Sequence, residues 1–248
     1  MQPVDIDYER YGAFKEAYAT SRHSKLRRLA HSLGLRNRYL RFLRTADRSL
    51  PVLEIGCGNG EFLAVMMQDG FVSVTGLEPS PSYRPVVDQS LILPLYADAY
   101  LGTCASESIG TIVALDVFEH IPHVQLQTLL TLIYDRLAPG GFLIFRVPNM
   151  ASPLALTNYF GDLTHAVGLN EVSIRQLLFG VGFGSPAILA EPFAYPRSIR
   201  TIIGVMLWPL HRFVYGALLA GFGIQGRVMT PNLVCVVRKS ENAPAIER

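Results

Sequence analysis

Cysteine is scarce and scattered. Cys57, Cys104 and Cys235 are the only three in 248 residues. No CxxC pair occurs, which excludes a disulfide framework or a zinc knuckle and makes a reducing cytosol the default compartment. Charge is thin as well, at 17%, and nearly cancels to a formal +2, so no partner is implied by the total. The opening MQPVDIDYER lacks the basic patch and apolar run of a secretory signal, and export is not expected. Internal repeats and low-complexity tracts are also missing.

What is present is a large apolar fraction, 50% of residues, enough to bury a full core. The charge that exists is uneven. Residues 1–48 hold eleven Lys plus Arg against five Asp plus Glu, a local net of +6 that leaves −4 on residues 49–248. Residues 8–46 have a helical, basic pattern, with Gly34 as a break and Arg36, Arg38, Arg41 and Arg44 crowding the second half. This reads as a solvated amphipathic cap, with an anion-binding lid as the alternative.

From Leu50 the texture changes. PVLEI, VSVTGL, TIVALD and FLIFRV are apolar runs of strand length. Helical patterns over 60–68 and 124–137 alternate with them, and Pro139-Gly140-Gly141 precedes a strand starting at Phe142. A helix over 173–179 ends in GVGFG, and NLVCVVRK forms a closing strand. Near-continuous apolar strands alternating with helices predict a parallel sheet covered on both faces, a doubly wound α/β domain. The expected organisation is a basic helical cap over 1–48, the α/β domain over 49–240 with an apolar helical insertion at about 193–228, and a tail over 241–248.

The first strand runs into Glu54-Ile55-Gly56-Cys57-Gly58-Asn59-Gly60. Glycines at a strand-to-helix turn let the backbone approach a ligand and direct amide hydrogens at it. The spacing is G-x-G-x-G rather than the dinucleotide G-x-G-x-x-G. The second strand ends at Glu78, 22 residues after Gly56, where a carboxylate can accept hydrogen bonds from vicinal ribose hydroxyls. Asp98 follows in Tyr96-Ala97-Asp98-Ala99, suited to an adenine amino group. After TIVAL comes DVFEHIPH, residues 116–123, two carboxylates and two imidazoles just past a strand end.

LEIGCGNGEF, VTGLEPS, ADAY, ALDVFEHIP and LAPGGFLIFRVPN together resemble the successive motifs of the class I S-adenosylmethionine-dependent methyltransferases, of the type 11 or type 23 kind, over roughly residues 50–150. The resemblance implies a Rossmann-like, seven-stranded doubly wound sheet whose last, antiparallel strand is NLVCVVRK. It implies S-adenosylmethionine as cofactor, with Glu54, Gly56, Cys57, Gly58 and Gly60 around the methionine part, Glu78 on the ribose and Asp98 at the adenine edge. Asp116 then touches the cofactor or the acceptor, while Glu119 and His120 line the pocket and Pro122 starts the next helix.

Methyl transfer from a sulfonium expels a neutral leaving group, so the acceptor sets the remaining demands. A carboxylate or amine needs chiefly positioning, whereas an alcohol must lose its proton as it attacks. The segment Gly161-Asp162-Leu163-Thr164-His165 supplies an imidazole, and His165 is the expected base, oriented by Asp162, with His120 as a further catalytic candidate. No metal is expected. The alternative is a metal on Asp116, Glu119, His120 and His165, which resemble the E-x-x-E-H plus distant His of the terminal 2′-O-methyltransferases of small RNAs; such ligands suit Mg, Mn or Fe.

Residues 199–224, IRTIIGVMLWPLHRFVYGALLAGFGI, are long enough to span a bilayer, but His211-Arg212 sits mid-stretch and Pro209 interrupts it. Ile199, Ile202, Ile203, Met206, Leu207, Leu210, Val214, Ala217 and Leu218 share one helical face. An interrupted amphipathic helix pair is expected, either completing the core, forming a dimer contact or lying on a membrane surface. The C-terminal arrangement also resembles bacterial methyltransferases of cell-surface polysaccharide synthesis. The expected function is O-methylation of a sugar or lipid-linked glycan hydroxyl, in the cytoplasm or at the inner face of the membrane. Alternatives are a nucleic-acid methyltransferase, disfavoured because the basic residues lack aromatic stacking partners beyond Tyr39 and Phe42, and a cofactor-fold module that binds without turnover.

Overall fold

In the computed structural model, residues 34–37, 39–81, 83–191, 199–223 and 228–241 are described, residues 199–201 by backbone alone. Most of the basic cap, the flanks of the apolar insertion and nearly all of the tail lie outside the described residues. The part of the cap that is described starts with Gly34 inside a helical turn, where a break was expected. It then packs inward: Tyr39, Leu40 and Leu43 are buried, and the Tyr39 ring meets Phe62 edge-on at 5.6 Å.

Seven strands form one sheet: β1 (Val52–Ile55), β2 (Val74–Leu77), β3 (Ile92–Leu93), β4 (Ile109–Leu115), β5 (Leu137–Pro148), β6 (Ala187–Ala190) and β7 (Asn232–Arg238). Their order is β3-β2-β1-β4-β5-β7-β6. β1, β2, β3, β4 and β5 run parallel, and β7 lies antiparallel to both β5 and β6. This is the Rossmann-like doubly wound sheet with an antiparallel last strand.

The helices are α1 (Glu61–Gln68), α2 (Ala97–Thr103), α3 (His123–Arg136), α4 (Leu156–Phe160), α5 (Glu171–Val181) and α6 (Ile199–Gly221). α5 starts two residues before the expected point because Asn170 caps it, accepting from the N–H groups of Val172 and Ser173 while Ser173 Oγ accepts from Asn170 N. Pro122 caps α3 from just outside the helix.

Strand alternation sorts the core into two layers. On β5, Leu143, Phe145 and Val147 face α3 and α5, while Phe142 and Ile144 face α1 and the Tyr39 segment. β4 divides likewise, with Ile112 and Ala114 on one side and Val113 on the other. Because both faces are covered, these strands read as unbroken apolar runs.

Two expectations change. β5 begins at Leu137, not Phe142: Ile109 pairs Leu137 and Thr111 pairs Phe142, so Ala138-Pro139-Gly140-Gly141 bulges within the strand, where Pro139 has no N–H to donate and Gly140 turns at φ 75°. The apolar stretch is one continuous helix, α6, with Pro209 inside it, not an interrupted pair. It does not complete the core either. Trp208, Tyr215, Gly216 and Leu219 are half-buried, and the Tyr215 hydroxyl donates to the Ala151 carbonyl at 2.8 Å. The other described side chains of the helix are exposed, Met206 and Phe213 to about three quarters.

Candidate functional site

The turn after β1 is held by its own backbone. Gly56 N and Cys57 N both donate to Leu77 O, at 2.8 and 3.0 Å, which ties the turn to the end of β2. Gly56 has φ 68°, and a Cβ there would stand 2.5 Å from Val117 Cγ2. The turn therefore presses against the exit from β4. Gly58, at φ 52°, has nothing within 4 Å of its Cβ position, so its outer side is open to a ligand.

Glu78 faces this turn. Its Oε2 accepts from Gly58 N at 2.9 Å and its Oε1 from Ser80 N at 3.0 Å. Each carboxylate oxygen keeps a lone pair beyond these bonds. Glu54 lies beneath the turn, buried, with Oε2 lacking a hydrogen-bond partner among the described residues. Burial, then the Glu61 and Glu78 charges, push its carboxyl well above the usual carboxylate range, against a hydrogen bond from the Leu63 backbone. The fold thus favours the protonated form of Glu54. Cys57 is buried too, and burial pushes its thiol up, so its main chain rather than its sulfur is what a ligand could meet. Asp98 stands exposed in the first turn of α2, beyond β3.

Asp116 leaves β4 in a left-handed conformation, φ 58°. Arg146, its neighbour across the β4–β5 ladder, grips it: Nε donates to Oδ1 at 2.7 Å and Nη2 to Oδ2. Nη1 of Arg146 reaches Glu191 Oε1 at 2.8 Å, and Asn232 Nδ2 holds Glu191 Oε2 at 2.7 Å. Burial opposes the charge of Arg146, but the hydrogen bonds and charge of Asp116 outweigh it and raise the guanidinium further. The Asp116 carboxylate is therefore engaged by the sheet.

Beyond Asp116, Phe118–His120 forms a single tight turn and returns to the segment that carries His165. Ala166 N and Val167 N donate to Glu119 O at 2.7 and 3.1 Å. This pins two stretches of chain that lie 47 and 48 residues apart in sequence. The His120 and His165 rings stand 4.7 Å apart, inclined at 61°. One ligand atom from each of Glu119, His120 and His165 lies within 4.8 Å of the others.

The expected Asp162–His165 pairing is replaced by a different one. Asp162 Oδ1 accepts from Thr164 Oγ1 at 2.6 Å and from Thr164 N at 3.0 Å. Thr164 Oγ1 lies 2.7 Å from His120 Nδ1. Since the hydroxyl gives its hydrogen to Asp162, it accepts from His120, whose lone pair is assigned to Nε2. His165 Nδ1 lies 2.8 Å from the Tyr159 carbonyl, which can only accept, so His165 also carries its lone pair on Nε2. Spacing in the sequence favoured Asp162 for His165, but the turn over 162–165 directs the carboxylate to its own Thr164.

Arg146, Thr164 and Tyr159 are site residues that sequence reasoning missed. Arg146 left a signal, a lone cation inside FLIFRV, whereas Thr164 and Tyr159 left none.

Residues 22–183 match a family described as Methyltransferase domain. Among solved structures, the chain is similar to a SAM-dependent methyltransferase from Archaeoglobus fulgidus, with TM-score 0.65 and 20% identity over 92% of this chain and 99% of that one. It is similar to magnesium protoporphyrin IX methyltransferase from Synechocystis with bound SAH, with TM-score 0.54 and 14% identity over 93% and 94%. An S-adenosylmethionine dependent methyltransferase from Mesorhizobium loti gives TM-score 0.52 and 14% identity over 81% and 97%. No curated protein matches the sequence.

Proposed function

The chain belongs to the methyltransferase-domain family that its residues 22–183 match, and from that premise we propose that it methylates a hydroxyl of a sugar, free or part of a lipid-linked glycan. It is an enzyme, a class I S-adenosylmethionine-dependent methyltransferase. Bound at the glycine turn, S-adenosylmethionine supplies a methyl group on a sulfonium, whose departure as a neutral thioether needs no acid.

The residues fit that group. Gly58 leaves open space where a side chain would otherwise stand, Glu78 is fixed on the turn with capacity for the ribose hydroxyls, and Glu54 keeps beneath it a buried oxygen with no partner among the described residues. Asp98 is assigned to the adenine edge and Asp116 to orienting the turn beside the acceptor.

The observation that carries the hydroxyl reading is the pair of imidazoles 4.7 Å apart at the carboxyl ends of the strands, where open α/β sheets bind ligands. A carboxylate acceptor would need no proton acceptor and an amine only one to shed its ammonium proton beforehand, whereas an alcohol must lose its proton as it attacks. His165, its Nδ1 held by the Tyr159 carbonyl, presents Nε2 to take the hydroxyl proton while the oxygen forms its bond to the methyl carbon. The carbon–sulfur bond of the bound cofactor would break with its electron pair returning to sulfur. His120, held through Thr164 by Asp162, stands ready as partner.

A lipid-linked acceptor, met at the inner face of the membrane, is supported by α6. Its Ile202–Gly221 window is apolar enough to cross a bilayer and none of it is buried, and Arg212 with His211 at the centre favours lying in the interface.

The test uses methyl-tritiated S-adenosylmethionine with lipid-linked oligosaccharide, free sugars and total RNA as separate acceptors. Base-stable label in a sugar fraction, lost in H165A, is expected; label in RNA alone would overturn the acceptor. Flotation with anionic liposomes at low salt tests the membrane part, which fails if the protein stays in the soluble fraction.

A further inference from the structure

We propose that Glu119, His120 and His165 bind a divalent transition-metal ion of the manganese, iron or zinc class. The assignment deepens the reading above, resting on it for the acceptor hydroxyl on which an ion would act. The binding itself is tested without any acceptor.

Three features carry the inference. First, the donor set is two imidazoles and one carboxylate, with one ligand atom of each within 4.8 Å of the others. This is the two-histidine, one-carboxylate set that holds divalent transition metals and leaves further positions open. Ligands about 2.1 Å from a shared ion stand roughly 3 to 3.5 Å apart, so side-chain rotation by about an ångström closes the group.

Second, both rings are prepared in the way metal ligands are. A ligating histidine donates its other ring N–H to a fixed oxygen, which sets the tautomer and aims the lone pair. His165 does so to the Tyr159 carbonyl at 2.8 Å. His120 does so to Thr164 Oγ1 at 2.7 Å, itself held by Asp162 at 2.6 Å. A single general base would need this on one ring only; here two rings at 4.7 Å both carry acceptor nitrogens, and two acceptors brought together favour a cation between them.

Third, Glu119 is buried, at 2% exposure. Its carboxylate therefore faces the two rings from inside the fold rather than from solvent. Asp116 is excluded from the set because Arg146 holds both its oxygens.

An ion at this position would occupy the Nε2 lone pair that His165 otherwise offers as base, and in its place would lower the pKa of a bound hydroxyl toward neutrality. That would make proton loss from the acceptor easier than an imidazole alone can.

The experiment uses the full-length protein, stripped with chelator and then dialysed against Mn2+, with bound metal measured by mass spectrometry and free Mn2+ by its paramagnetic resonance signal. About one Mn2+ per chain is expected for the wild type, competed off by Zn2+. H165A and the double variant H120A/H165A should bind at least tenfold more weakly. T164V, which leaves all three ligands in place but removes the support of His120, should weaken binding about tenfold. S-adenosylhomocysteine titration of the same samples monitors fold and cofactor site separately, and should be unchanged across the variants. Absence of stoichiometric Mn2+ uptake by the wild type, or equal uptake by the double histidine variant, overturns the proposal. Failure of S-adenosylhomocysteine to bind the wild type would instead count against the cofactor reading and leave the metal result standing.

Discussion

Arg146 holds the carboxylate of Asp116 from the adjacent strand, its Nε 2.7 Å from Oδ1 and its Nη2 on Oδ2, although Asp116 sits in a left-handed conformation at φ 58°. The pair joins β4 to β5 where the chain departs toward Glu119 and His120. A residue with a Cβ costs about 1 to 2 kcal/mol in that conformation unless local hydrogen bonds offset it.

Replacing Arg146 by Met should therefore destabilise the protein by about 2 to 4 kcal/mol, because Glu191 at 12% side-chain exposure loses its cation together with Asp116. D116N should cost less than D116A, since Asn tolerates the left-handed region. Urea unfolding of the three variants measures this; equal costs for D116N and D116A would refute the role given to the backbone conformation.

Gly56 and Val117 should behave as a coupled pair. A Cβ on Gly56 would lie 2.5 Å from Val117 Cγ2 at a positive φ, so G56A should cost about 2 to 4 kcal/mol. Trimming the neighbour in G56A/V117A should remove the clash but not the strain, giving a double variant less destabilised than the two single changes added together. A double-mutant cycle by thermal or urea unfolding reads the coupling, and strict additivity would show that the turn does not touch Val117.

Gly58 should separate stability from binding. With open space at its Cβ position, G58A should lose only about 1 to 2 kcal/mol of stability, the cost of its φ of 52°. S-adenosylhomocysteine affinity should fall at least tenfold because the methyl group fills the ligand's space. E78Q should weaken the same ligand while leaving the fold intact. Calorimetric titration beside an unfolding curve gives both quantities.

The buried acid should give the protein a pH-dependent stability of unusual sign for a carboxylate. The Glu54 pKa is raised in the folded state by burial and by Glu61 and Glu78, so the folded chain holds this proton more tightly than the unfolded one. Its contribution is complete below the ordinary value of 4.5 and declines as pH climbs toward the folded-state pKa. The stability of wild type minus that of E54Q should therefore fall as pH rises above the ordinary value of 4.5, measured by urea unfolding at each pH. A difference that rises with pH would show that Glu54 is ionised in the fold.

Much of the sheet was legible because β1, β2, β4, β5 and β7 are covered on both faces and so are written as apolar runs. β3, two residues long, and β6, Ala-Ile-Leu-Ala, are too short to carry such a signature. The glycine turn and Glu78 were readable from local spacing. The Asp162–Thr164–His120 link was not, because it depends on where a tight turn aims a side chain and on a backbone contact from Glu119 to residues 166 and 167. α6 was misread as two pieces because Pro209 normally ends a helix by clashing with the carbonyl four residues back; the helix continues through it.

The place of β7 between β5 and β6 has a consequence for biosynthesis. Among the described residues β6 finds its sheet partner only in β7, and β7 follows the other six strands in the chain. Until Asn232–Arg238 emerges, β5 presents a bare edge and the Glu191 side chain lacks Asn232. Completion of the sheet therefore waits on the strand that follows the other six in the chain, and nascent chains stalled short of it expose the β5 edge for chaperones to shield.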